Sequence, residues 1–176
     1  MAEFTLHPFP VAADTESFSL HGSIGRAAGR LRIAYLLRGP LHQLLLPRPV
    51  PSARRDGLWQ ATCFELFWRQ KDNTRYWELN LSPSGEWNAY AFSDYRAGMR
   101  QEELLPPPRL QRQGDSGLLS LTAELDLTGV GLASGALRLG ISAVLAHADG
   151  QHSYWALAHP GRQPDFHAPQ GFLLSL

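Results

Sequence analysis

The segment YWELNLSPSGEWNAYAF, residues 76–92, constrains the fold more than any other stretch of the chain. Two runs rich in aromatic and apolar residues flank Ser82-Pro83-Ser84-Gly85-Glu86, where Pro and Gly set backbone angles that a strand cannot use. The segment therefore predicts an antiparallel hairpin, and side-chain parity selects its register. With Leu81 opposite Trp87, one face carries Trp77, Leu79, Leu81, Trp87, Ala89 and Ala91. The other carries Tyr76, Glu78, Asn80, Asn88, Tyr90 and Phe92. A slip of one residue would mix the apolar and polar sets. The preceding strand fits the same sheet. Leu66 opposite Trp77 sets Phe64 against Leu79 and Thr62 against Leu81 on the apolar side, and Glu65 against Glu78 and Cys63 against Asn80 on the polar side.

The remainder of the chain agrees with an all-β fold. Its 16 Gly and 13 Pro are spread so evenly that few stretches of a dozen residues could continue as helix. Short β-type runs separated by turns recur instead, the pattern of an antiparallel β-sandwich in one domain over residues 1–176. Strands are expected at residues 4–6, 17–20, 29–37, 41–46, 58–68, 76–81, 87–92, 118–125, 137–146, 153–157 and 171–176. Residues 47–57 and 102–117 read as irregular, and residues 128–134 as a turn or a single helical turn.

Composition narrows the partners. Lys+Arg and Asp+Glu are both 16, so no net charge draws the chain to nucleic acid or to an acidic membrane. Lys71 is the lone lysine among many arginines, as expected of a GC-rich bacterial genome. Cys63 stands alone and can form neither an intramolecular disulfide nor a multi-thiolate zinc site. The opening MAEFTLHPFP has no basic start followed by an apolar run, and no apolar run approaches the roughly 20 residues that span a bilayer. A cytoplasmic protein is the expectation.

The polar face of the hairpin sheet is the candidate site. Glu65, Glu78, Asn80, Asn88 and Tyr90 fall in one compact patch. Like charges directly opposite each other destabilise a sheet. A cation, a metal, a shared proton or a ligand's hydroxyls would offset them, and Arg96 is the nearest cation. The outer face of an antiparallel sheet is also ordinarily polar, which is the plain alternative. Amides, carboxylates and aromatic rings in one patch suit a saccharide, which is recognised by planar groups and directed hydrogen bonds. Trp59, just before the Glu65 strand, is the best platform. Trp68, Trp77 and Trp87 fall on the apolar side as core residues, and Trp155 is undecided.

Three segments, LWQATCFELFW, YWELNLSPSGEWNAYAFSDYRAGM and SYWALAHPGRQPDFHAPQGFLLSL, resemble the DOMON-like proteins, relatives of family 9 carbohydrate-binding modules and of haem-binding cytochrome domains. The E-x-F strand, the SPSG turn and the YR-x-GM segment carry the resemblance. It implies an immunoglobulin-like or jelly-roll sandwich with a ligand site on the concave face of one sheet. Trp59, Glu65, Glu78, Asn80, Asn88, Tyr90 and Arg96 would line that site, with Trp155, His159, Asp165 and His167 added from the C-terminal segment.

The expected function is non-catalytic recognition of a small polar ligand, a saccharide or sugar derivative, with no cofactor. Two alternatives stand beside it. A haem b domain would use Met99 and His167 as axial ligands, but the candidate face is polar where haem needs an apolar slot. A protein-interaction module would grip its partner on the same concave face. For a metal, the histidines match no compact ligand motif, although oxygen ligands could serve a structural Ca²⁺. For an enzyme, Glu65 and Glu78 could pair as glycosidase carboxylates, while Asp165 and His167 read equally well as a clamp on backbone groups.

Overall fold

The computed structural model describes residues 1–10, 15–132 and 134–176, and in it twelve strands form one curled antiparallel sheet. One half holds β1 (Ala2–Pro8), β2 (Ser19–Ala27), β3 (Arg30–Arg38), β9 (Leu118–Asp126) and β8 (Arg109–Gly114). The other holds β7 (Arg100–Gln101), β6 (Trp87–Phe92), β5 (Tyr76–Leu81), β4 (Cys63–Gln70), β10 (Leu137–Ala146) and β11 (His152–Ala156), with β12 (Leu174–Ser175) beside β10. Strand β1 joins the halves: Ala2 to Leu6 pair with β2, whereas His7 and Pro8 pair with Ala156 and Trp155 of β11. The sheet folds over on itself there, and its two halves enclose the core as a sandwich.

Local sequence explains the first half directly. In β3, Leu31, Ile33, Tyr35 and Leu37 are buried and the arginines at both ends are exposed. Strand β9 alternates in the same way, with Leu119, Leu121, Ala123 and Leu125 inward. Ala28 and Gly29 close the β2–β3 hairpin with φ of 49° and 74°. Such turns twist in the same sense as the strands they join. Tyr35 crosses the core, where its hydroxyl donates to the Glu65 carbonyl at 2.8 Å and its ring packs on Phe64.

The second half departs from simple alternation. Strands β5 and β6 are buried along their whole length, and β4 and β10 nearly so. One face meets the core, with Trp68 and Trp77 stacked 9° from parallel at 6.3 Å. The other face is partly roofed by residues 157–173. There Phe166 and Phe172 pack on Phe67, Tyr76, Tyr90 and Phe92. Gly140 makes room for this roof, since a Cβ at that position would lie 2.9 Å from the Phe172 ring.

The β5–β6 register, Leu81 opposite Trp87, is the expected one. The β4–β5 register is displaced by two residues: Trp68 faces Trp77, Leu66 faces Leu79 and Glu65 faces Asn80. A shift of two preserves every side chain's face, so alternation cannot detect it. The tryptophan stack fixes the register instead. Glu65 and Glu78 are thus diagonal neighbours rather than directly opposed.

Other expected elements differ in detail. Residues 41–43 and 58–60 are 3₁₀ turns rather than strand, and β4 starts only at Cys63. The irregular stretch 102–117 contains β8, an edge strand exposed along most of its length and so without a hydrophobic signature. The last strand is only Leu174–Ser175, preceded by the 3₁₀ turn Pro169–Gly171. Residues 128–130 form the expected helical turn, and Ala133 in the same predicted stretch lies outside the described residues.

Candidate functional site

A cavity of about 400 Å³ opens on the part of the outer face that the roof leaves uncovered. That volume falls within the range of small-molecule sites. Strands β4, β5, β6, β10 and β11 supply its floor through Glu65, Glu78, Phe92, Val144 and Tyr154. Trp59, on the 3₁₀ turn before β4, stands at the mouth with 38% of its surface exposed. Arg96 and Met99 come from the loop after β6, and Pro164, Phe166 and His167 from the roof.

The two carboxyls dominate the electrostatics. Both residues are buried, Glu65 at 3% exposure and Glu78 at 5%. One oxygen of Glu65 accepts from Ser142 Oγ at 3.1 Å, and one oxygen of Glu78 accepts from Asn80 Nδ2 at 2.8 Å. Burial pushes the Glu65 carboxyl well above the usual carboxylate range, and the nearby Glu78 adds to this. Burial also raises Glu78, to about 7, against the opposing effects of the Asn80 hydrogen bond and the Arg96 charge. Desolvation favours the protonated form of each acid.

His167 reaches the floor from the roof. Its Nε2 lies 3.8 Å from Glu78 Oε2, too long for a hydrogen bond, and its Nδ1 is 2.8 Å from the Tyr76 hydroxyl. That hydroxyl oxygen already accepts from the Arg96 backbone N–H at 3.2 Å, so its proton is free to go to Nδ1. Burial, followed by the Arg96 charge, lowers His167 to about 4. Near neutral pH the imidazole is therefore uncharged, and proximity to Glu78 does not make an ion pair.

Arg96 is committed elsewhere. Its guanidinium donates to Asp165 Oδ1 at 2.8 Å, and the Tyr95 hydroxyl donates to Asp165 Oδ2 at 2.6 Å. Asp165 also accepts from the His167 backbone N–H at 3.2 Å. This clamp ties the loop after β6 to the roof. Arg96 makes no hydrogen bond to Glu65 or Glu78 and acts on Glu78 through its charge alone.

The structure brings Trp59, Glu65, Glu78, Arg96, Met99 and His167 together around the cavity, with Asp165 clamped to its rim. Asn80 supports Glu78 from the same face. Asn88 and Tyr90 belong to an adjoining, partly buried network. Both donate to Asp56 at 2.8 Å, and Arg54 donates to Asn88 Oδ1 at 3.0 Å while lying over the Trp87 ring. Tyr90 also supports Trp59, whose ring meets it edge-on at 5.7 Å. Trp155 is placed elsewhere. It faces the core, and its indole N–H donates to Ser153 Oγ. His159 lies at the His7 end of β1, with Nε2 2.9 Å from the His7 carbonyl and its ring against Phe9. Cys63 is fully buried and its thiol is pushed well up by burial, which leaves it inert.

Tyr154, Val144, Phe166 and Pro164 escaped the sequence reading. Tyr154 and Val144 follow from parity once Trp155 is known to face the core, because both then face outward. Phe166 and Pro164 lie in a non-repetitive segment where periodicity gives no signal. Among the described residues, no group of three or more His, Cys, Asp or Glu side chains converges as metal ligands.

No family model matches the sequence, and no curated protein matches it. Solved structures do resemble the fold. A protein of Bacteroides uniformis ATCC 8492, provisionally named carbohydrate-binding, superposes with a TM-score of 0.68 at 12% identity, covering 95% of this chain and 83% of that one. A family 9 carbohydrate-binding module of Caldicellulosiruptor kristjanssonii, solved with cellotriose, superposes with a TM-score of 0.52 at 8% identity, covering 89% of this chain and 72% of that one. The fold is thus a β-sandwich like that of family 9 carbohydrate-binding modules.

Proposed function

We propose that the chain is a non-catalytic saccharide-binding domain of the DOMON-like kind, with its ligand seated in the cavity between Trp59 and the roof. The observation that carries this reading is the composition of that cavity. An exposed indole at the mouth and aromatic rings inside offer planes for sugar faces, and buried carboxyls on the floor offer hydrogen bonds. Aromatic planes with a few fixed polar groups are what a polyhydroxylated ring requires. The carbohydrate modules that share the fold support the same reading.

The haem alternative has one point in its favour, since Met99 and His167 line the same cavity. The donor set does not suit it. The free nitrogen of His167 looks toward Glu78, and two carboxyls occupy the floor where a porphyrin needs apolar walls.

Calorimetric titration with cello-oligosaccharides and other neutral saccharides tests the proposal. Binding is expected with Kd in the micromolar to millimolar range, without release of reducing ends on prolonged incubation. Hydrolysis of the bound sugar would show an enzyme instead. A Soret band with haemin and no saccharide binding would favour the alternative.

A further inference from the structure

The floor of the cavity holds two buried carboxyls, and no charged side chain among the described residues hydrogen-bonds to either. The second oxygen of Glu65 and the second oxygen of Glu78 receive no hydrogen bond from the described residues, and both side chains are more than nine-tenths buried. His167 is uncharged and stands 3.8 Å away. The cation on the rim, Arg96, has its guanidinium paired with Asp165 at 2.8 Å rather than with either carboxyl. Around these carboxyls stand the rings of Phe92, Tyr154 and Phe166, with Trp59 at the mouth. Two buried carboxyls lacking a cation, enclosed by aromatic rings, form a receptor for a positive group. The carboxyls supply its counter-charge, and the ring faces attract a cation.

We propose that the ligand carries a protonated amine placed between Glu65 and Glu78, which makes an amino sugar the preferred saccharide. This rests on the saccharide reading of the same cavity and narrows it. A neutral sugar would leave the floor protonated and gain only hydrogen bonds. An ammonium group gains a charge-assisted pair, and its arrival makes the carboxyl ionise. The ammonium keeps its protons, the carboxyl loses one, and that proton goes to solvent. Below the value of about 7 at which Glu78 titrates, binding therefore releases a proton.

The test is calorimetry on the full chain at about pH 6, in two buffers of different ionisation enthalpy. The probes are the β-1,4-linked glucosamine trisaccharide, its N-acetylated form, cellotriose and spermidine. The expected result is at least tenfold tighter binding of the glucosamine trisaccharide than of cellotriose or the N-acetylated form, with proton release. Glu78→Gln and Glu65→Gln, checked for folding by thermal melting, should lose that preference. Cellotriose binding as tightly as the amino sugar would overturn the amine and leave the saccharide reading standing. Spermidine binding with no sugar binding would keep the amine and overturn the saccharide. No binding of any probe would overturn both.

Discussion

Glu78 and His167 face each other at 3.8 Å, and their protonation is displaced in opposite directions. Burial raises the acid to about 7 and lowers the base to about 4, so between those values both are neutral in the folded chain. From about 4.5 to 7 the folded chain keeps a proton on Glu78 that the unfolded chain has lost, so this group makes stability fall as pH rises. From about 4 to 6.5 the unfolded chain protonates His167 and the folded chain does not, so this group makes stability rise with pH. The two oppose each other until the histidine window closes near 6.5, above which only the acids act.

Stability, followed by thermal melting, should accordingly decline from about pH 6.5 to 8, with Glu78 contributing a little under about 1 kcal/mol of the loss. Glu78→Gln should flatten this decline and be more stable than the parent at the alkaline end. His167→Gln should remove one contribution that opposes the acids between about pH 4 and 6.5, so that stability falls more steeply with rising pH there. A decline of the same slope in Glu78→Gln would show that Glu78 is not the titrating group.

Trp59 and Trp155 provide a contrast between site and scaffold. Trp59 meets Tyr90 in a T-shaped contact and stands at the cavity mouth with 38% of its surface exposed, whereas Trp155 is 2% exposed in the core. Trp59→Ala should weaken saccharide binding at least tenfold, about 1.4 kcal/mol, and cost about 1 kcal/mol or less of stability. Trp155→Ala should cost about 3–5 kcal/mol of stability by leaving a large void. Equal destabilisation by the two variants, measured by urea unfolding, would mean that Trp59 serves the fold.

These contrasts mark how far the sequence could be read. Alternation assigned Trp77 and Trp87 to the core and Glu78 and Asn80 to the opposite face, because a period of two responds to one buried side. It was blind to the two-residue displacement between β4 and β5, which changes no face. It was blind also to the roof, where Phe166 and Phe172 reach the sheet from a chain that repeats nothing. Trp155 remained undecided because a five-residue strand with Tyr154 and Trp155 adjacent offers an aromatic residue to either side. Asp56 entered no reading, since its partners Asn88 and Tyr90 lie more than thirty residues away in sequence.

The β2–β3 turn offers a test independent of the site. Ala28 sits at φ 49°, where an L residue is strained by about 1–2 kcal/mol and glycine is not. Glycine loses more chain entropy on folding, about 0.5–1 kcal/mol. Ala28→Gly should therefore stabilise the protein by roughly 0.5 kcal/mol and leave ligand binding unchanged. A lower melting temperature in this variant would contradict the turn geometry.

The clamp on Asp165 links stability of the roof to shape of the cavity. Burial alone would raise this carboxyl, but hydrogen bonds from Tyr95 and Arg96 outweigh it and hold Asp165 below the usual range. Three donors converge on it: the Tyr95 hydroxyl, the Arg96 guanidinium and the His167 N–H. Asp165→Ala removes all three contacts, and the partial exposure of the clamp limits the cost to about 1–2 kcal/mol. The larger effect should fall on the cavity. His167 and Phe166 lie next to Asp165 in the chain and both line the cavity, so loosening the clamp frees one wall. Saccharide affinity should drop by more than the stability loss alone explains, and chymotryptic cleavage after Phe166 should accelerate in the native protein. A variant that melts earlier yet binds with unchanged affinity would show that the clamp secures the roof without shaping the cavity.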